Sequence, residues 1–156
     1  MAKRKQKRNW QPFWRFLFVI YAGLMLWLLF GRSSGWVENL TYRQMLQQNI
    51  NITPFYTIDN YVNVLLHYPN AKIYNHCLIN LVGNVVMFIP AGWLLPRIFQ
   101  KMHNFLLFLM SSVFGILLIE IIQLLTLLGS FDIDDIILNL VGLLVGYIIH
   151  ACRYKK

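Results

Sequence analysis

The chain has 156 residues, of which 58% are hydrophobic and only 13% are charged, whereas soluble domains carry roughly 25% charged residues. This balance argues against a soluble domain and indicates a multi-pass membrane protein with the length of a single domain. The net charge is +8, and because the basic residues flank apolar runs, we expect an anionic membrane surface as the partner and not nucleic acid.

The N-terminal region combines a basic arm, residues 3–8, with an apolar run at about residues 14–30. The basic front resembles that of a secretory signal peptide. However, the apolar run is long and no small-x-small cleavage site follows it. We therefore expect this run to remain in the protein as its first membrane-spanning helix.

The connection that follows, residues 31–77, is the only sizeable part expected outside the membrane. Its stretch VENLTYRQMLQQN is compatible with a short helix. Pro54 predicts a break, and a second short helix is expected after it, with tyrosines that suit the membrane interface. His76, near the end of this connection, is a candidate ligand or base, although a lone histidine at an interface is more often simply solvated.

Three more apolar segments are expected to cross the membrane, at about residues 78–95, 105–128 and 136–152. Each approaches the ~20 residues that a helix needs to span a bilayer. Asn80, Asn84 and Pro90 interrupt the first of these segments. The sequence therefore predicts an all-α membrane protein, a single domain over residues 1–156. Four transmembrane helices form a bundle, with a short helical extracellular segment between helices 1 and 2.

The distribution of basic residues predicts the orientation of this bundle. The N-terminal arm, the connection with Arg97 and Lys101, and the tail at residues 153–156 all fall on one side. Because basic loops stay in the cytoplasm, we expect both termini to be cytoplasmic and the turn at residues 132–135 to face outward. We therefore expect Asp132 and Asp134 to be substantially hydrated.

Polar residues collect in the halves of the helices nearest this turn, and they are Asn80, Asn84, Glu120, Gln123, Asp132, Asp135 and Asn139. On each helix they share one face, and we predict that together they form a ligand-binding site. A carboxylate inside a bilayer costs at least ~2.5–3.5 kcal/mol, so Glu120 must be paired, hydrated or protonated. Asp134 points elsewhere, and we expect it to cap the N-terminus of its helix. The alternative is that these side chains only join helices, through hydrogen bonds worth about 0.6 kcal/mol each.

Three glycines are predicted to lie at helix-packing positions. Gly83 is on the polar face of the second helix, and Gly142 and Gly146 form a GxxxG pair in the fourth. Small residues at this spacing let neighbouring helices approach closely. The first helix has no polar residue inside its span, and we expect it to lie at the periphery.

The chemistry of the polar cluster leaves its function open. Carboxylate and amide oxygens suit a hard divalent cation such as Mg²⁺ or Ca²⁺, and they equally suit a cationic or hydroxyl-rich ligand. The sequence contains no GxSxG, HExxH or CxxC motif, so it does not establish catalysis. A divalent cation is the candidate cofactor.

Four stretches resemble the VanZ-like family of bacterial membrane proteins, namely NITPF, NLVGNVVMFIPAGWLLP, EIIQ and FDIDDIILNLVGLLVG. The resemblance runs from about residue 15 to the end. It implies a four-helix protein of the bacterial cytoplasmic membrane. The family's namesake is associated with resistance to teicoplanin, a lipoglycopeptide that acts at the outer face of that membrane. Many relatives carry an arginine shortly before the aspartates, where this chain has Gly129 and Ser130.

Two functions follow from the residues and the resemblance together. The first is binding of a cell-envelope component, such as a cell-wall precursor, or of a teicoplanin-like lipoglycopeptide, with glycopeptide resistance as a consequence. The alternative is an intramembrane metal-dependent enzyme that acts on lipid-linked envelope material. The sequence does not name the ligand, the reaction or the oligomeric state.

Overall fold

The fold is a bundle of long apolar helices with a short helical segment between the first two. The computed structural model describes residues 10–31, 40–69 and 71–154. The helices are α1 (Gln11–Phe30), α2 (Tyr42–Gln48), α3 (Tyr56–His67), α4 (Ala71–Ile98), α5 (Phe105–Thr126) and α6 (Ile133–Tyr154). A 3-10 turn at Gln100–His103 joins α4 to α5, and two short strands, β1 (Ile50–Asn51) and β2 (Phe131–Asp132), pair in parallel.

Four of these helices, α1, α4, α5 and α6, are long and apolar enough to cross a membrane. The predicted all-α class with four spans is therefore confirmed. Three of the helices, α1, α4 and α6, begin before the predicted apolar runs, whereas α5 ends at Thr126, two residues before the predicted end. The second spanning helix, α4, begins at Ala71 and continues through Pro90 and Pro96 without a break. Proline is tolerated inside membrane helices when neighbouring groups satisfy the freed backbone.

The helices α4 and α6 lie parallel and form the most closely packed pair of the bundle. A Cβ atom added at Gly142 would lie 2.1 Å from the carbonyl oxygen of Val85, and one at Gly146 would lie 2.0 Å from that of Ile89. Gly92 of α4 is equally tight against α6. Only glycine permits this approach of two backbones, and we refer to Gly92, Gly142 and Gly146 as the glycine seam.

Gly83 lies outside the glycine seam, which differs from its expected packing role. A Cβ atom there would meet only Ile79 of its own helix, at 3.9 Å. The residue faces open space, although its neighbour Asn84 contacts α6 through Asp135. Gly83 is therefore part of a cavity wall, described below.

The first helix, α1, is the least buried of the four spans and packs mainly against α4. Met25 is its only buried residue. Near its middle, Tyr21 donates a hydrogen bond to the carbonyl of Met87 at 2.7 Å. Near its start, Trp14 contacts the guanidinium of Arg97, whose Cζ lies 4.6 Å from the ring centroid. As expected, α1 is a peripheral wall.

The two ends of the bundle differ in charge. Asp132, Asp134 and Asp135 lie where α6 begins, and we call this the carboxylate end. Arg97, Lys101 and Arg153 lie at the opposite end, which we call the basic end. The two ends are separated by the full length of the spanning helices.

A candidate ligand site at the carboxylate end

Asp134 holds the short helix α3 in place. Its side chain is fully buried and accepts three backbone hydrogen bonds, from Phe55 at 2.6 Å, Thr57 at 2.8 Å and Ile58 at 3.0 Å. The first N–H groups of a helix lack partners within the helix, and a negative charge is favourable there. Asp134 therefore caps α3 and not its own helix, which corrects the expectation.

Asp132 caps α6 and joins it to the NITPF stretch. Its Oδ1 accepts from the backbone N–H of Asp134 at 2.9 Å, as a helix N-cap does. Its Oδ2 accepts from the hydroxyl of Thr57 at 2.6 Å and from the amide of Asn51 at 3.2 Å. The β1–β2 pair runs alongside, with Asn51 opposite Asp132. We call this hydrogen-bonded layer, formed by residues 50–58 and 131–134, the roof.

The expected hydration of Asp132 and Asp134 is wrong. Asp132 is 6% exposed and Asp134 is 0% exposed. The physical reason is that β1 and the start of α3 cover the turn and supply the hydrogen-bond donors that water would otherwise provide. These two carboxylates serve the architecture of the roof.

Two amide–carboxylate pairs connect the helices beneath the roof. Asn84 of α4 donates to Oδ1 of Asp135 in α6. Asn139 of α6 donates to Oε1 of Glu120 in α5 at 3.5 Å. Glu120 and Asn139 are each 2% exposed, and Oε2 of Glu120 and Oδ1 of Asn139 have no hydrogen-bond partner in the described part of the chain. A buried acceptor without a partner costs about 1–3 kcal/mol, so this second pair is incompletely satisfied.

A cavity of about 250 Å³ opens beside the first of these pairs. Four of the predicted site residues line it, namely Asn80, Asn84, Gln123 and Asp135. Gly83, Gly129 and Ser130 complete its small and polar wall, and Leu28 and Leu29 of α1 close it on one side. We call this space the polar cavity.

Gln123 fixes one edge of the polar cavity. Its side-chain amide donates to the carbonyl of Leu29 at 3.1 Å, which joins α5 to α1. Its backbone carbonyl accepts from Leu128 at 3.1 Å and from Gly129 at 3.3 Å, which closes the end of α5. A Cβ atom at Gly129 would approach the Gln123 side chain to 3.2 Å, so a small residue suits this position.

The remaining predicted residues lie elsewhere. Glu120 and Asn139 are buried between α5 and α6 and do not line the polar cavity, and Asp132 belongs to the roof. His76 is exposed, with Nε2 at 3.2 Å from the Asn80 amide. Nearby, burial and the negative charge of Asp135 raise the pKa of Tyr61 in α3, so its hydroxyl remains protonated at neutral pH.

The donors available to a metal ion are limited. Within residues 10–31, 40–69 and 71–154, no three histidine, cysteine, aspartate or glutamate side chains come together as metal ligands. The acids are instead hydrogen-bonded to side-chain amides, a hydroxyl and backbone N–H groups. These acids are Asp132, Asp134, Asp135 and Glu120. The geometry therefore offers a hydrogen-bonding cavity with one accessible carboxylate.

Comparison with known proteins decides the family. The model of the VanZ/LLP1 family matches residues 18–153, which include most of α1 and all of the roof. The chain belongs to the VanZ/LLP1 family. It is 28% identical to Protein VanZ of Enterococcus faecium over 145 residues, covering 90% of this chain and 75% of that relative. No solved structure matches the chain.

Membership of the VanZ/LLP1 family confirms the resemblance seen in the sequence, and the structure shows how its separate stretches meet. NITPF lies in the roof against the aspartate turn. Sequence reasoning missed Thr57 and the α1 wall at Leu28 and Leu29. The resemblance of NITPF to the family pattern was the one signal that pointed to the roof, while α1 carries no polar residue that would associate it with a site.

Proposed function

We propose that this VanZ/LLP1-family protein binds a polar group of a cell-envelope component, or of a teicoplanin-like lipoglycopeptide, in the polar cavity. We further propose that binding lowers sensitivity to such antibiotics. The observation that supports this is the convergence of Asn80, Asn84, Gln123 and Asp135 from three helices on one cavity of about 250 Å³. Ligand pockets typically measure ~300–1,000 Å³, so the polar cavity suits one part of a ligand and not a whole antibiotic.

The lining favours a ligand group that donates hydrogen bonds. Asp135 has one oxygen engaged by Asn84, which leaves its second oxygen as an acceptor. Among the described residues, no lysine or arginine lines the cavity to neutralise this charge. An amine or a hydroxyl-rich group meets that requirement, and a charge-assisted hydrogen bond to the carboxylate is roughly twice as strong as a neutral one.

We propose that the carboxylate end faces the outside of the bacterial cytoplasmic membrane and that both termini are cytoplasmic. Arg97, Lys101 and Arg153 at the basic end support this orientation, because basic residues near the ends of membrane helices are retained in the cytoplasm. In this orientation the polar cavity opens at the outer leaflet, where envelope precursors and lipoglycopeptides are available.

The test is expression in a teicoplanin-susceptible Gram-positive host, with the inhibitory concentration and the binding of fluorescent teicoplanin to cells measured together. We expect wild type to raise the inhibitory concentration and Asp135→Asn to lose most of this effect. Asp59→Asn is the matched control, because Asp59 is an exposed carboxylate on α3 that lies outside the cavity. Membrane levels of each variant are measured by immunoblot.

Two results would contradict the proposal in different ways. A wild-type protein that leaves teicoplanin sensitivity unchanged at normal membrane levels rules out the antibiotic version. If Asp135→Asn matches wild type in both assays while the protein is active, the polar cavity is not the site. A parallel shift with vancomycin, which lacks the lipid chain, would show that the polar group alone determines recognition.

A further inference from the structure

A second, apolar space lies directly below the polar cavity. It measures about 410 Å³ and opens between α1 and α5, with α4 and α6 as its floor. Its lining is formed almost wholly by apolar side chains, including Phe18, Met25, Phe88, Ile116 and Leu143. We call it the apolar cleft. The space is open at its side, so within a bilayer an apolar chain can enter it from the surrounding lipid.

The cleft has the length of one lipid chain. On α1 its lining runs from Phe18 to Leu29, which corresponds to about 16 Å along the helix axis. The hydrocarbon core of a bilayer is ~30 Å thick, so the cleft spans about half of it, the depth of one leaflet. On the facing wall, a Cβ atom at Gly115 would have no heavy atom of another element within 4 Å. The cleft is therefore open along the side formed by α5.

The two spaces meet at Leu29, which lines both of them. At this point the Gln123 amide donates to the Leu29 carbonyl at 3.1 Å. A molecule that occupied both spaces would place a polar group beside Asp135 and an apolar chain toward the basic end. This is also the direction in which a lipid of the leaflet at the carboxylate end points its chains.

We propose that the ligand is an amphiphile whose amine-bearing head group occupies the polar cavity while one acyl chain lies in the apolar cleft. The proposal rests on the proposed function for the head group and adds the chain. The carboxylate of Asp135, with no basic residue in the described cavity lining, selects the amine. Because a bilayer is as apolar as the cleft, the chain contributes position and retention, and the head group contributes preference.

The test uses the full chain in detergent micelles and native mass spectrometry to measure the fraction of protein that carries a bound lipid. The probes are lysophosphatidylethanolamine, lysophosphatidylglycerol with the same acyl chain, and glycerophosphoethanolamine, which has the amine head and no chain. We expect the first to bind about tenfold more tightly than the second, the factor expected for one charge-assisted hydrogen bond. We expect no binding of the third.

Phenylalanine substitutions in the cleft lining separate the contribution of the chain from that of the head group. Gly115→Phe fills the cleft and should reduce lysophosphatidylethanolamine binding about tenfold. Gly23→Phe is the matched control, because a Cβ atom at Gly23 also meets nothing within 4 Å but this residue does not line the cleft. Ala22→Phe fills the cleft from the α1 side and replaces Gly115→Phe if that variant fails to fold.

The outcomes distinguish the two levels of the proposal. If Gly115→Phe and Ala22→Phe bind the amine lipid as wild type does while Asp135→Asn does not, the chain site is overturned and the proposed function stands. If Asp135→Asn binds normally while the cleft variants do not, the head-group site and the proposed function both fail. Equal binding of the amine and glycerol lipids by wild type overturns the amine preference.

Discussion

The backbone N–H of Phe55 donates a 2.6 Å hydrogen bond to the carboxylate of Asp134, although the two residues are 79 positions apart in the chain. Phe55 adopts a φ of 64°, in the left-handed region that bulky residues rarely enter. This backbone conformation turns the start of α3 toward the aspartate. The contact joins the short helix α3 to the last candidate membrane helix, α6, and it makes Asp134 a structural residue of the roof.

Replacement of Asp134 should therefore destabilise the protein. We expect Asp134→Ala to lower the free energy of unfolding by about 2–4 kcal/mol, because three partly buried backbone N–H groups lose their acceptor. Asp134→Asn, which keeps one acceptor oxygen, should cost less. The measurement is thermal or SDS-induced unfolding in detergent. The control is Asp59→Asn, at an exposed position on α3. Wild-type stability of Asp134→Ala would show that the cap contributes nothing.

The glycine seam should not accept larger side chains. In Gly142→Leu the new Cβ atom would overlap the Val85 carbonyl, which lies 2.1 Å away, so α4 and α6 would have to separate. We expect loss of monodisperse protein in size-exclusion chromatography. Gly23→Leu on α1 introduces the same side chain into open space and should purify as wild type does. A well-folded Gly142→Leu protein would contradict the close parallel packing.

Glu120 should be replaceable by its amide without loss of stability. Gln has an acceptor for the Asn139 amide and also a donor for the Asn139 oxygen, which has no partner in the described structure. Because an amide also carries no charge that has to be buried between α5 and α6, Glu120→Gln should unfold at the same free energy as wild type or a higher one.

Glu120→Leu is the comparison for that variant. It leaves the whole Asn139 amide without a partner and should lower the free energy of unfolding by about 1–3 kcal/mol. If Glu120→Gln were instead as unstable as Glu120→Leu, the carboxylate would have to make a contact that an amide cannot make. Binding or resistance assays on Glu120→Gln then report on function separately from folding.

The proposed orientation can be tested with the native cysteines. Cys152 is exposed at the basic end and Cys77 is 2% exposed. We expect a membrane-impermeant maleimide to label Cys152 in inverted vesicles and not in intact protoplasts. Asn60→Cys, in a Cys152→Ala background, places an exposed thiol on α3 and should label in protoplasts. The opposite labelling pattern would contradict the proposed orientation and place both termini outside.

The number of spans and their order could be predicted because composition and hydrophobic runs determine them directly. The ends of the helices could not be predicted in this way. Asp132 and the first turn of α6 are polar, yet β1 and α3 cover them. A contact between residues so far apart in sequence leaves no periodic signal. The same reason explains why the sequence pattern associates Asp134 with its own helix and not with α3.

The candidate site was predictable in part. Helical periodicity and depth place Asn84 and Asp135 at one level, and the structure brings them into a hydrogen bond. Periodicity does not give the angles between helices, which decide that Glu120 and Asn139 are enclosed while Asn80 and Gln123 reach the cavity. The apolar cleft was invisible for a similar reason, because an apolar face that lines a space has the same sequence as one that contacts lipid.

The glycine seam also has a consequence for biosynthesis. The tightest helix pair joins α4 to α6, with all of α5 between them in the chain. While the ribosome is still making α5, the face of α4 that forms the glycine seam has no packing partner, and the N-terminus of α3 lacks the Asp134 cap. The packing partner of α4 and the cap of α3 are both supplied when α6, residues 133–154, enters the membrane. We therefore expect a chain truncated before α6 to be degraded in the membrane, since the tight pairing of α4 and the cap of α3 both depend on the last helix to be made.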